Sequence, residues 1–245
     1  MTALRYLFAV AAMLAGLTIF GACDGDGGSN DDGTPSAVAT GGGDEGDTRD
    51  LAAIARRFNE TAFRGEYDLT GSVDESEFTN AKLVIYKDGV DRLRFDLSAE
   101  EDGEATEVIF IQTPEISAFC LRNAGEFGLL LGVAEDEGVC FNDDPSGGGG
   151  AGDYSEIIEQ IESGEGEIVE RSEREIAGED GDCYRIRDAE GNVSDACFSG
   201  DGYLLAVNET DGSGLEATSV SGTVDDGDFD PPYELRDLPD FGGEE

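Results

Sequence analysis

From Glu66 onward the apolar residues of this chain recur at alternate positions, and that period decides what the chain can fold into. A strand turns successive side chains to opposite faces, so period-two segments predict sheet and not helix. In Glu66–Val73, Tyr67, Leu69 and Val73 share one face. Ala81–Lys87 and Val90–Leu97 flank Asp88-Gly89, two residues that tolerate positive φ, which predicts a hairpin. In its second arm Leu93, Phe95 and Leu97 form the apolar face, and Arg92, Arg94 and Asp96 the solvent face. Glu107–Gln112 is a nearly continuous apolar run, the pattern of a strand covered on both sides. Ile116–Leu121 follows the Thr113-Pro114 break. Further strands are expected at Glu167–Ile176, Cys183–Arg187, Ala196–Ser199, Tyr203–Asn208 and Leu215–Val224, punctuated by glycines. Asp226–Pro232 and the tail beyond read as an edge strand fading out. Strands joined by hairpins are antiparallel, and a sheet of roughly ten of them curls.

Two segments follow a helical period instead. Leu51, Ile54, Ala55, Phe58 and Ala62 form one stripe behind Thr48, a capping residue, and predict a helix over Thr48–Phe63. Tyr154–Ser163, with Ile157, Ile158 and Ile161, predicts a second. Phe127–Val133 (FGLLLGV) reads as a short helix, a loop plug or a strand, and Asp143–Gly152 as a flexible loop. The expectation is therefore an α+β fold: a single curved antiparallel sheet, an unclosed half-barrel, with helices packed on its concave face.

The N-terminus has a different logic. Arg5 precedes an apolar stretch, Tyr6–Phe20, and the small residues Gly21-Ala22 lead into Cys23. This is the order of a secretory leader. A cysteine directly after the small pair resembles a bacterial lipobox, whose sulfur receives a diacylglyceryl group before the leader is cut. Phe20 departs from it, standing where that pattern prefers Leu. The reading is a signal peptide over residues 1–22 and a lipid anchor, palmitate included, on Cys23. Each buried methylene contributes about 0.8 kcal/mol, so two or three acyl chains hold a domain on a membrane. Two alternatives stay open: ordinary cleavage that leaves Cys23 free, or retention of Leu4–Ala22, close to the ~20 residues of a membrane span. Residues 24–47 contain seven acids and no base. Such a segment cannot bury enough surface to order itself, and as a flexible spacer it reaches about 27 Å. With Cys23 it makes the tether, 23–47; the folded domain then runs over 48–232, and 233–245 is a flexible acidic tail.

Removing Cys23 from five cysteines leaves Cys120, Cys140, Cys183 and Cys197, an even set of disulfide formers that suits an oxidising compartment. Their spacing favours two local bridges, 120 with 140 and 183 with 197, although four cysteines allow three connectivities. The chain carries 57 acidic and 15 basic residues, a net charge of −42, and no histidine. So acidic a surface repels phosphate backbones, which excludes nucleic acid as a partner. Without histidine the common nucleophile–base pairs are missing, and no GxSxG elbow, P-loop or dinucleotide fingerprint is present. No enzyme, cofactor or metal site is expected.

The order of leader, acidic tether, amphipathic helix, hairpins, inserted helix and terminal strands ends in CFSGDGYLLAVNET, ATSVSGTV and DGDFDPP. This pattern resembles the LolA-like bacterial lipoproteins, the LprG/LppX-like envelope proteins among them, over roughly Leu51–Pro232. The resemblance implies an unclosed barrel around helices with an acyl-chain cavity. The cysteines and the acidity do not map onto that family. The expected function is an extracytoplasmic, membrane-anchored lipoprotein of the cell envelope that binds or carries a lipid or other hydrophobic ligand, as a monomer. Val108, Phe110, Phe127, Leu129, Leu131, Ile157 and Ile161 are the candidate cavity lining. The alternative is an envelope interaction or sensor scaffold with no cavity ligand.

Overall fold

A computed structural model describes residues 45–73, 76–77, 81–101, 104–134, 136–142, 167–187, 191–210 and 212–238. The leader, residues 23–44 of the tether, the predicted helix Tyr154–Ser163 and the tail beyond 238 lie outside the described residues. Glu45–Asp47, expected in the tether, begin the first helix, and 233–238, expected in the flexible tail, include a strand.

Helix α1 (Glu45–Glu60) comes first. The strands are β1 (Phe63–Thr70), β2 (Ser72–Val73), β3 (Ser76–Glu77), β4 (Lys82–Asp88), β5 (Arg92–Glu101), β6 (Glu104–Gln112) and β7 (Ser117–Arg122). Helix α2 (Gly125–Leu130) leads into β8 (Gly138–Asn142). Then follow β9 (Glu167–Ile176), β10 (Glu179–Arg187), β11 (Val193–Ser199), β12 (Leu204–Glu209) and β13 (Gly214–Ser221). A 3₁₀ turn (Asp226–Phe229) and β14 (Glu234–Asp237) close the chain. Twelve strands form one unclosed sheet in the order β14-β8-β7-β6-β5-β4-β1-β13-β12-β11-β10-β9. All pairings in it are antiparallel except that of β14 with β8.

This corrects the expected class. Among the described residues two α-helices, of sixteen and six residues, accompany the twelve-stranded sheet, so the fold is a β fold and not an α+β arrangement of helices packed along a sheet. The physical reason lies in what covers each face. Among the described residues one helical stripe covers one half of the sheet, and α2 with its following turn and the C-terminal segment cover parts of the other.

The helix stripe is Leu51, Ile54 and Phe58, which join Phe63, Tyr67, Leu83, Ile85, Phe198, Leu204 and Leu215 in the main core. Arg56 and Arg57 stay exposed. The Phe58 ring meets Phe63 at 5.7 Å and Phe198 at 6.0 Å. Gly202 makes this docking possible: its φ is +91°, and a Cβ there would lie 2.9 Å from Arg57. A side chain would be strained and would also push the helix off. Lys87 is buried at the helix end, donates to the Asn59 carbonyl at 2.9 Å and to the Gly89 carbonyl, and lies 4.9 Å over the Phe58 ring. A cation at a helix C-terminus meets the negative end of the dipole.

The face opposite α1 departs from expectation too. Arg92, Arg94 and Asp96 are not a free solvent face, because the C-terminal segment crosses them as a strap. Arg92 pairs with Asp226 at 2.8 Å and stacks 4.2 Å over the buried Phe229 ring. Arg94 donates to the Asp228 carbonyl at 2.8 Å and pairs with Asp96 at 2.6 Å. Burial raises the Asp96 carboxyl above its ordinary pKa, against the opposing pull of Arg94. Farther along, the Tyr233 hydroxyl meets Glu107, and its ring lies against Gly138, where an added Cβ would sit 2.4 Å from the ring. The strap ends as β14 alongside β8.

Both disulfides join direct cross-strand partners. Cys120 and Cys140 face each other on β7 and β8, and Cys183 and Cys197 on β10 and β11. The local pairs are the ones formed, and two such bridges belong to a chain that folds in an oxidising, extracytoplasmic compartment.

Candidate functional site

Register places an apolar surface on the α1 side of β5–β8. Two rows run across these four strands. Leu97, Val108, Leu121 and Val139 are successive cross-strand partners, and so are Phe95, Phe110, Phe119 and Phe141. Partners in such rows share a face and sit close enough for large side chains to touch. The second row is thus a ladder of four phenylalanines, within which Phe119 and Phe141 stack at 5.2 Å and 30°.

The aliphatic row is roofed. Ala124, at the start of α2, and Leu131 and Val133, just after it, pack with Val108, Leu121, Val139 and Phe141 in a second core cluster. A six-residue helix has little stability alone, so this packing is what holds it. The phenylalanine row is closed only at its ends: Phe95 and Phe141 are buried, Phe119 is half-buried, and Phe110 is 38% exposed. In α2, Leu129 and Leu130 are 57% and 73% exposed. On a chain with a net charge of −42, apolar side chains presented together form a distinct surface.

The candidate cavity residues divide accordingly. Val108 is buried in the roofed row under Leu131, and Phe110 and Leu129 are exposed. The Phe127 side chain, Ile157 and Ile161 lie outside the described residues. Phe95, Phe119 and Phe141 were not among the candidates, although a signal for two of them was present. The sequence reads Phe119-Cys120 and, in mirror order, Cys140-Phe141. Once the two cysteines pair across antiparallel strands, the two phenylalanines must also face each other.

The chemistry of this surface is apolar contact. Its charged neighbours lie elsewhere: Arg236 pairs with Glu137 at 2.8 Å at the β14 edge and holds that carboxyl below its ordinary pKa. Among the described residues no group of acids and cysteines is arranged to hold a metal ion, and no helix is long and apolar enough to cross a membrane.

No family model and no curated protein sequence matches the chain. Solved structures of MucB are similar in chain path. MucB in complex with MucA(peri) is 15% identical with a TM-score of 0.44, over 77% of this chain and 60% of that one. The MucA/MucB complex of Pseudomonas aeruginosa gives 16% and 0.46, over 74% and 59%. MucB itself gives 16% and 0.44, over 76% and 63%. The chain therefore spans less than two thirds of each of these proteins.

Proposed function

We propose that this chain is a cell-envelope lipoprotein, held on the extracytoplasmic side of a membrane by acyl chains on Cys23, that binds a lipid or other hydrophobic ligand along the phenylalanine row of β5–β8. The observation that carries the reading is Phe110, exposed in the middle of an otherwise buried or half-buried ladder. An acyl chain laid across Phe110 and Phe119 would remove apolar surface from water at about 25 cal/mol per Å². On this reading the protein works in the manner of the LolA-like carriers, binds no nucleic acid and performs no catalysis. The test exports residues 24–245 behind an ordinary cleavable leader, purifies the protein and extracts it with organic solvent for mass spectrometry. Stoichiometric lipid is expected. A folded, lipid-free protein that also takes up no fluorescent fatty acid would sink the reading.

A second reading makes the same surface a docking face for a protein partner, with no cavity ligand. It is favoured by Leu130 of α2, which is 73% exposed and belongs to neither core cluster of this half. Paired variants separate the two. Phe110→Glu should abolish fatty-acid uptake if a lipid binds, whereas Leu130→Glu should leave uptake intact.

A further inference from the structure

The two disulfides lie on the same face of the sheet, and both are buried, but their surroundings differ. Cys120 and Cys140 are both 0% exposed, and they cluster with Ile109 and Ile111 beneath Tyr233 of the C-terminal strap. Cys183 and Cys197 lie where the strap does not reach. There β9 comes back toward β13, and Arg174 of β9 pairs with Glu216 of β13 although three strands separate them in the sheet order. Inside this curl is an open pocket of about 200 Å³, and both Cys183 and Cys197 line it. Its walls are surface ion pairs. Arg185 meets Asp195 at 2.9 Å and Glu170 at 2.9 Å, and these side chains are 37–60% exposed. Exposed pairs of this kind contribute little and rearrange easily.

We propose that Cys183–Cys197 is a thiol–disulfide exchange site open to a small dithiol in the folded protein, while Cys120–Cys140 is a sealed structural bridge. Exchange requires a thiolate to reach a sulfur of the bridge, so access separates two bonds of the same kind. The attacking thiolate bonds to Cys183, which is 8% exposed against 3% for Cys197. The S–S bond breaks, and Cys197 leaves as a thiolate that takes a proton from solvent. The second thiol of the reagent then attacks the mixed disulfide, closes its own cyclic disulfide and releases Cys183. Two electrons pass from the dithiol to the protein. The β10–β11 ladder does not depend on the bridge, since its seven residue pairs run along both strands. The sheet therefore survives the reduction.

The charges around the pocket specify the reagent further. Arg174 and Arg185 stand with Glu170, Asp195 and Glu216, one negative charge in excess, on a protein that is strongly acidic throughout. A reagent bearing carboxylates is repelled, and an uncharged or cationic one is not.

The test treats the full-length chain in detergent with dithiothreitol, quenches with an alkylating agent at intervals and counts labelled Cys183, Cys197, Cys120 and Cys140 peptides by mass spectrometry. Circular dichroism follows the fold in parallel. The 183–197 bridge should open faster by on the order of tenfold or more, with the sheet signal unchanged. Equal rates for the two bridges, or no opening of either until the sheet unfolds, would overturn the proposal. A second measurement uses monothiols, each normalised to its rate on a small reference disulfide. 2-Aminoethanethiol should outpace 3-mercaptopropionate at the 183–197 bridge, with the gap narrowing as salt is added. A preference for the anionic thiol would overturn the reagent class assigned here.

Discussion

In the half of the sheet built from β1, β4 and β10–β13, α1 lays Leu51, Ile54 and Phe58 onto the strands, and aromatic rings close the gaps. In the half built from β5–β8 no long helix is present among the described residues. A six-residue helix and its following turn roof one row of side chains, a row of phenylalanines is left partly open, and the opposite face is sealed by the strap. The first half thus spends its apolar surface on stability. The second keeps some of it available, and the strap lets it do so: Ile109, Ile111 and the Cys120–Cys140 bridge give β6–β8 a core on the far side, so the near side need not be closed.

This contrast can be broken most severely at Phe58. Phe58→Ala removes a buried ring at the centre of the helix-packed half and should cost about 3–5 kcal/mol, read from the urea midpoint. A loss below about 1 kcal/mol would mean that α1 is not needed to hold that half. Next is the strap. Phe229→Ala empties a site that is 3% exposed beneath Arg92, and it should cost about 2–4 kcal/mol and increase amide exchange in β14 and β8 before β10–β13. Uniform loss of protection would show that the two halves unfold as one unit. A smaller effect is expected at Phe110, whose side chain is already partly in water. Phe110→Ser should change stability by less than about 1 kcal/mol yet remove fatty-acid uptake, which sharpens the division between a stabilising half and a binding half.

The smallest effect is a pH dependence in the strapped half. Burial raises the folded-state pKa of Asp96 above its ordinary 3.8. The folded protein therefore holds a proton that the unfolded chain has already released. Stability from this group is greatest at low pH and falls as pH rises through the raised value. Glu137 has the opposite sign, since its pairing with Arg236 stabilises above 4.5 and is lost as pH falls. Asp96→Asn should remove the first slope and leave the second. The check is to compare denaturation midpoints of the two proteins between about pH 3 and pH 7. Parallel curves would mean that Asp96 stays solvated beside Arg94.

Much of the sheet was readable from alternation. Leu93, Phe95 and Leu97 share a buried face and Asp88-Gly89 starts the turn between β4 and β5, as the pattern implies. The apolar run in Glu107–Gln112 is covered on the Ile109 and Ile111 side but only partly on the other, where Phe110 is exposed. The helical stripe of Leu51, Ile54 and Phe58 was equally plain. The solvent face assigned to Arg92, Arg94 and Asp96 was wrong because three polar side chains at alternate positions look the same whether water or a strap of backbone carbonyls receives them. The strap itself reads as a fading tail, since its anchors, Phe229 and Tyr233, are two aromatics in a run of acids and prolines. The fold class was misjudged for a related reason. Helical periodicity announces a helix but does not say how much of a sheet that helix covers.

By itself the sequence determined most of the strands and the first helix, because each follows from neighbours within one segment or one hairpin: a period of two or a period of 3.6. It missed β8 and put the last strand at Asp226–Pro232, where a 3₁₀ turn stands. It also left three cysteine connectivities open, of which the structure forms the two local pairs. The tertiary structure alone decided which phenylalanines form one row, which disulfide is sealed, and which polar face is covered. Those outcomes depend on register across four strands and on where residues 222–238 return to the sheet. Contacts between residues more than a hundred positions apart, such as Arg92 with Asp226, leave no periodic trace in the chain.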